Sequence, residues 1–279
     1  MSFPRHIGVA LASCVFLSLP SWAQQSPPQT ATQEPPPPNE LSVEQIRQIA
    51  SPVQRLIAVD RLVEDKYYTE AVEAYKEMLQ TDPHNPQILN RLGNIYQALQ
   101  SMDEAKKYYR RALNADSHFA ASVNNIGCVY YSEKRYGKAE REYKKAIKMD
   151  SSVASFHSNL GYTYLARKKY KEMMAEFHAA VALDPTIFDQ HNKSGAIVLE
   201  RSVQDRGAFY FFLAKIYGQV GDADRCLQYL TKARDEHYKD ILSVKTDPAF
   251  ARVRPKPAVR EFIDGLTPPT GPNPSSAAS

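Results

Sequence analysis

The chain has 279 residues, 43% of them apolar and 24% charged, with a mean hydropathy of −0.48. These are the values of an ordinary soluble protein with enough apolar residues for a real core, in one or two domains. The net charge of +4 is modest and no nucleic-acid-binding motif accompanies it, so a nucleic-acid partner is not expected. The N-terminus carries Arg5, then an apolar run from Ile7 to Leu19 that Pro20 breaks, then Ser21-Trp22-Ala23. That order reads as a secretory signal peptide over residues 1–23, cleaved near Ala23/Gln24, and so predicts a periplasmic or secreted protein. The run is shorter than the roughly 20 residues of a spanning helix, although a retained anchor is the competing reading. Leu11-Ala12-Ser13-Cys14 has the look of a bacterial lipobox, but Val15-Phe16-Leu17 continues the apolar run where polar residues usually follow. Membrane attachment is expected only if Cys14 carries a lipid.

Residues 24–40 form a low-complexity linker with Pro27, Pro28 and the run Pro35–Pro38. Such a stretch favours extended, solvated backbone. It reads as a spacer, or else as a ligand for an aromatic groove. Leu41–Ala50, with Val43, Ile46 and Ile49, reads as a short amphipathic helix at the front of the folded region. Cys128 and Cys226 read as buried small residues. No C-x-x-C or H-E-x-x-H spacing occurs, nor any nucleophile elbow or phosphate loop. No cofactor, metal or catalytic activity is expected.

Three glycines, Gly93, Gly127 and Gly161, stand 34 residues apart. In the same register come Tyr96, Tyr130 and Tyr164, then Ala105, Ala139 and Met173. Tyr109, Tyr143 and Phe177 follow, then Ala112, Ala146 and Ala180, then Asp116, Asp150 and Asp184. Within a copy, Leu89, Leu92, Tyr96 and Leu99 make one helical stripe, and Ala105, Tyr108, Tyr109, Ala112 and Leu113 make a second. The polar stretch Gln100–Asp103 turns the chain between them. Small residues at Gly93 and Ala105 allow a close approach of the two helices. One such pair leaves an apolar face in water, and stacking the next pair covers it.

This pattern resembles the tetratricopeptide repeat (TPR), a helix-turn-helix unit of 34 residues. The resemblance covers residues 52–85, 86–119, 120–153 and 154–187, with a degenerate copy over 207–240. It implies an all-α, right-handed superhelical solenoid, one domain over residues 41–265. Residues 188–206 are an insertion that reads first as an irregular loop or short helix; the competing reading is that Gly195–Leu199, β-branched and strand-like, lies in the groove as an internal ligand. A helical cap is expected over 241–265 and a disordered tail over 266–279. The absence of proline at Ser117 and Ser151 predicts longer, more continuous helices at those two junctions.

In TPR proteins the first helix of each pair lines the concave face. That mapping assigns Asn90, Asn94, Gln97, Asn124, Asn125, Tyr131, Asn159 and Tyr162 to an uncharged groove. Asparagine donates and accepts at once, which suits the backbone of an extended peptide; tyrosine adds contact area. The alternative is that these amides pair with one another or with water. A family clamp for C-terminal carboxylates has Asn94 and Asn125 in place but Asn90, Ser155 and Asn159 where it needs bases, so capture by that route is not expected. The function implied is an exported scaffold or adaptor for a protein or peptide partner. The second reading is a structural subunit of a cell-envelope assembly, anchored through Cys14 if that residue carries a lipid. Lys106, Lys107, Arg110, Arg111, Arg141, Lys144, Lys145 and Lys148 form an outward basic row on the second helices.

Overall fold

The computed structural model describes residues 43–189 and 205–266. The signal-like segment with Cys14, the proline-rich linker, the strand-like Gly195–Leu199 and the tail beyond 266 lie outside the described residues. Among those described, every regular element is helical. They divide into two compact units, residues 43–150 and residues 151–266.

The first unit opens with α1 (Val43–Arg47), which packs on α2 (Pro52–Glu64) and α3 (Tyr68–Thr81). It is shorter than the sequence suggests and buries Ile46. Two further pairs follow, α4 (Pro86–Ala98) with α5 (Met102–Ala115), and α6 (Ala120–Ser132) with α7 (Tyr136–Met149). Each helix pair also touches the following one, α3 against α4 and α5 against α6, and α4 meets α6 directly. The starts are chemically marked. Ser51 and Asn85 cap α2 and α4 through their side-chain oxygens, each followed by proline at the first helical position, where its missing N–H costs nothing.

The ends of the first helices are as regular as the pairs. Lys66, Gln100 and Lys134 all adopt left-handed backbone, with φ of 70°, 61° and 58°. In each case the next N–H reaches back to the carbonyl five residues earlier, Tyr67 to Leu62, Ser101 to Tyr96 and Arg135 to Tyr130, at 2.8 Å. This is the Schellman closure, usually built on glycine. Lys168 and Gly221 close the first helices of the second unit in the same way.

The second helices stop at the aspartate column. Asp116 accepts from the His118 N–H at 2.9 Å, and Asp184 accepts from the Thr186 N–H at 2.8 Å. The continuous helices expected at Ser117 and Ser151 are therefore corrected: α5 ends at Ala115 and α7 at Met149. The aspartate side chain competes for the backbone and turns it without help from proline.

The second unit holds α8 (Ala154–Ala166), α9 (Tyr170–Leu183), α10 (Arg206–Val220) and α11 (Ala223–Asp235). Residues 185–189 are fastened onto the last pair. Tyr217 and Tyr229 donate to the Pro185 and Phe188 carbonyls, both at 2.8 Å, and Arg225 pairs with Asp189 at 2.8 Å. Two short 3-10 turns, Ile241–Lys245 and Pro248–Phe250, and α12 (Pro257–Asp264) then cover α10 and α11. Gly218 fits under this cover, where an added Cβ would lie 2.8 Å from the Ala249 carbonyl oxygen.

The glycine column has one physical cause. A Cβ on Gly93 would sit 2.4 Å from the Tyr109 ring, on Gly127 2.7 Å from Tyr143, and on Gly161 2.4 Å from Phe177. Each aromatic presses a ring edge, Cδ1 and Cε1, against the backbone of its partner helix and is buried. The first and last pairs keep the same spacing with Val59 opposite Tyr75 and Ala214 opposite Leu230, all four fully buried.

Candidate functional site

The repeat places a second residue one position after Val59 and after each of the three column glycines: Asp60, Asn94, Cys128 and Tyr162. In the first two pairs the aromatic opposite is a tyrosine whose hydroxyl reaches that residue. Tyr75 donates to Asp60, and Tyr109 lies 2.9 Å from Asn94 Oδ1 and 2.7 Å from Gln97 Oε1. In the fourth pair the aromatic is Phe177, and the Tyr162 ring meets it edge-on at 5.1 Å.

From Asn94 an amide network runs to the next pair. Asn125 on α6 donates through Nδ2 to both Asn90 Oδ1 and Asn94 Oδ1, each at 3.0 Å. Ser122 donates to Asn90 Oδ1 at 2.9 Å. Asn124 donates to Asn125 Oδ1 at 3.2 Å. Five of the eight residues assigned from sequence, Asn90, Asn94, Gln97, Asn124 and Asn125, are thus joined through hydrogen bonds and through Tyr109. Tyr131 lies on the same helix α6 and packs edge-on against Tyr136 at 5.2 Å. Asn159 and Tyr162 belong to α8 in the second unit. There Tyr162 is 2% exposed, its ring among Phe177, Phe188 and Phe209.

Beside the network, α2, α3 and α4 enclose a cleft of about 290 Å³, lined by Asp60, Val63, Tyr68, Tyr75, Asn90, Arg91, Asn94 and Ala98. Its charged centre is a pair: Arg91 Nε lies 2.8 Å from Asp60 Oδ1 and 3.2 Å from Oδ2. Burial works against the Arg91 charge, yet the contact with Asp60 prevails and raises its pKa. Burial, and then the bond to Asp60, lift the Tyr75 phenol far above its ordinary range. The Tyr68 hydroxyl is buried and has no hydrogen-bond partner; burial raises its pKa too. Both phenols stay protonated at neutral pH.

The basic row is mostly exposed, on α5 and α7. Lys106 is the exception, half-buried between Asp103 at 3.0 Å and Glu133 at 2.9 Å. Among the described residues no group of three His, Cys, Asp or Glu is arranged to hold a metal ion, and no helix is long and apolar enough to cross a membrane. Cys226 is a free thiol, and burial pushes its pKa up to about 12.

Tetratricopeptide-repeat family profiles match residues 62–123 and 154–187, and a TPR repeat profile matches residues 127–166. The chain is a tetratricopeptide-repeat protein. Solved structures similar to this TPR chain include MamA, 19% identical, covering 65% of this chain and 95% of that one at a TM-score of 0.43. The thermophilic TPR protein TTC0263 of Thermus thermophilus is 18% identical, covering 66% and 90% at 0.45. YrrB, described as a TPR protein with an unusual peptide-binding site, is 17% identical, covering 68% and 89% at 0.41. Overlaps this loose add nothing to the assignment, and no curated protein matches.

Proposed function

We propose that this TPR protein is an exported scaffold that holds a segment of a partner polypeptide against the amide-bearing faces of its first helices. The observation that carries the reading is the network of Asn90, Asn94 and Asn125, in which one asparagine ties two neighbouring pairs together. Asparagine is a poor choice for a helix interior on propensity alone. Held by such a network, each amide is fixed in orientation before a ligand arrives, which lowers the entropic cost of binding. Export rests on the sequence alone, on the run Ile7–Leu19 and the Ser21-Trp22-Ala23 pattern.

Chemical crosslinking in cells followed by purification and mass spectrometry tests the partner reading. Asn94→Ala with Asn125→Ala, shown folded by circular dichroism, is expected to lose the crosslinked partner. Arg110→Glu with Lys145→Glu, on the exposed basic row, is expected to retain it. The reverse result favours the structural-subunit reading, in which the outer face makes the contacts.

A further inference from the structure

We infer that the cleft between α2, α3 and α4 takes a proline-rich segment of the partner, recognised through its carbonyl oxygens. The inference rests on the groove reading above and gives it a ligand chemistry. Its basis is the sign of the hydrogen-bonding groups the cleft has left over. The side-chain oxygen of Asn90 already accepts from Ser122 and Asn125; that of Asn94 accepts from Asn125 and shares the single Tyr109 hydroxyl proton with Gln97 Oε1. An amide oxygen has two acceptor sites, so that of Asn90 is full and that of Asn94 has at least one taken, while each nitrogen keeps its two N–H groups. Neither nitrogen meets an acceptor among the described residues. Arg91 contacts Asp60 through Nε and interacts with Tyr75 as well; its guanidinium N–H groups can only donate. The Tyr68 hydroxyl is buried and unpartnered, on a residue that is 6% exposed and lines the same cleft. The one carboxylate, Asp60, is engaged by Arg91 and Tyr75.

A cleft rich in donors and poor in acceptors selects a ligand of the opposite kind. Ordinary peptide backbone brings an N–H with every carbonyl, and each N–H would be desolvated here with little to receive it. Proline brings the carbonyl without the N–H. In a run it is already extended, with its carbonyls pointing outward. Charge decides against a carboxylate as the main ligand. Arg91 and Asp60 cancel, so an incoming anion gains from one and is repelled by the other. Val63, Ala98 and the Tyr75 ring supply an apolar wall of the sort a pyrrolidine ring covers.

The test uses the full chain and two capped peptides of equal length, octaproline and an alternating glycine-serine octamer, with affinity read by calorimetry. Octaproline is expected to bind at least about tenfold tighter, since several backbone N–H groups escape an unpaired burial. Tyr68→Phe removes only the unpartnered hydroxyl. It should leave the thermal midpoint unchanged or higher and weaken octaproline about fivefold. A variant with Pro35–Pro38 replaced by serine removes competition from the chain's own run, and octaproline binding it at least as tightly as wild type is expected. Equal affinity for the two peptides in both chains overturns the inference, as does a Tyr68→Phe protein that binds octaproline like wild type. If octaproline fails while Asn94→Ala with Asn125→Ala still loses its crosslinked partner, the ligand chemistry is wrong and the groove reading stands.

Discussion

Gly93 and Gly137 show what one methyl group means in two places. At Gly93 an added Cβ meets the Tyr109 ring at 2.4 Å; at Gly137 it meets nothing within 4 Å. Gly93→Ala is expected to cost about 1–3 kcal/mol, the range for forced overpacking of a core. Gly137→Ala, near the start of α7, should be neutral or stabilising by up to about 1 kcal/mol. Thermal unfolding of the two variants side by side checks both. The glycine column is legible in the sequence because the backbone-on-ring contact recurs at one spacing. Asp60, Tyr68 and Arg91 do not stand out there. The first copy has Val59 in the glycine place, so it matches the pattern less well and its face stays unmapped. The signal is present all the same: Asp60 stands 34 residues before Asn94, and so shares its register. The pairing of Asn125 with two asparagines on α4 needs the spacing between helices, which no linear pattern supplies.

At the scale of elements, the helix pairs fall where the 34-residue register places them. The closures are less legible. Lys66, Gln100, Lys134 and Lys168 carry no sign of left-handed backbone, a conformation that costs a residue with a Cβ about 1–2 kcal/mol. Replacing any one by glycine is expected to stabilise the protein by about 0.5–1 kcal/mol, the gain being trimmed by glycine's freedom in the unfolded chain. Chemical denaturation measures each. The cover over α10 makes a different prediction. Asp247 caps the second 3-10 turn by accepting from the Ala249 N–H at 2.9 Å and pairs with Lys215 at 2.8 Å. Burial opposes its charge, but these partners win and hold its carboxyl below the usual range. A carboxyl so depressed contributes stability throughout the neutral range and loses it as pH falls through the folded-state value. Wild type should lose protection of α10 amides in hydrogen exchange on acidification, and Asp247→Asn should flatten that dependence.

For the whole chain, the all-helical class and the repeat count follow from periodicity, because each pair depends on its neighbours for burial and so leaves a recurring stripe. The division into two units does not, since the register runs through Asp150 without a break. Removing residues 241–279 should strip the last pair of its cover. We expect α10 and α11 to lose amide protection first and the truncated chain to become prone to association, both measurable on one preparation. Export predicts that the protein recovered from cells starts at Gln24, which N-terminal sequencing decides; a chain still beginning at Met1 in the cytoplasm ends that proposal.

The residue beside each column glycine changes from copy to copy, Asn94, Cys128 and Tyr162, while the ring-on-backbone lock next to it hardly changes. Structure and vocabulary are therefore written in adjacent letters. A lineage can exchange amide for sulfur or phenol without reopening the question of how the hairpin folds. Duplication or loss of one 34-residue word would shift the whole sequence of teeth by a single step.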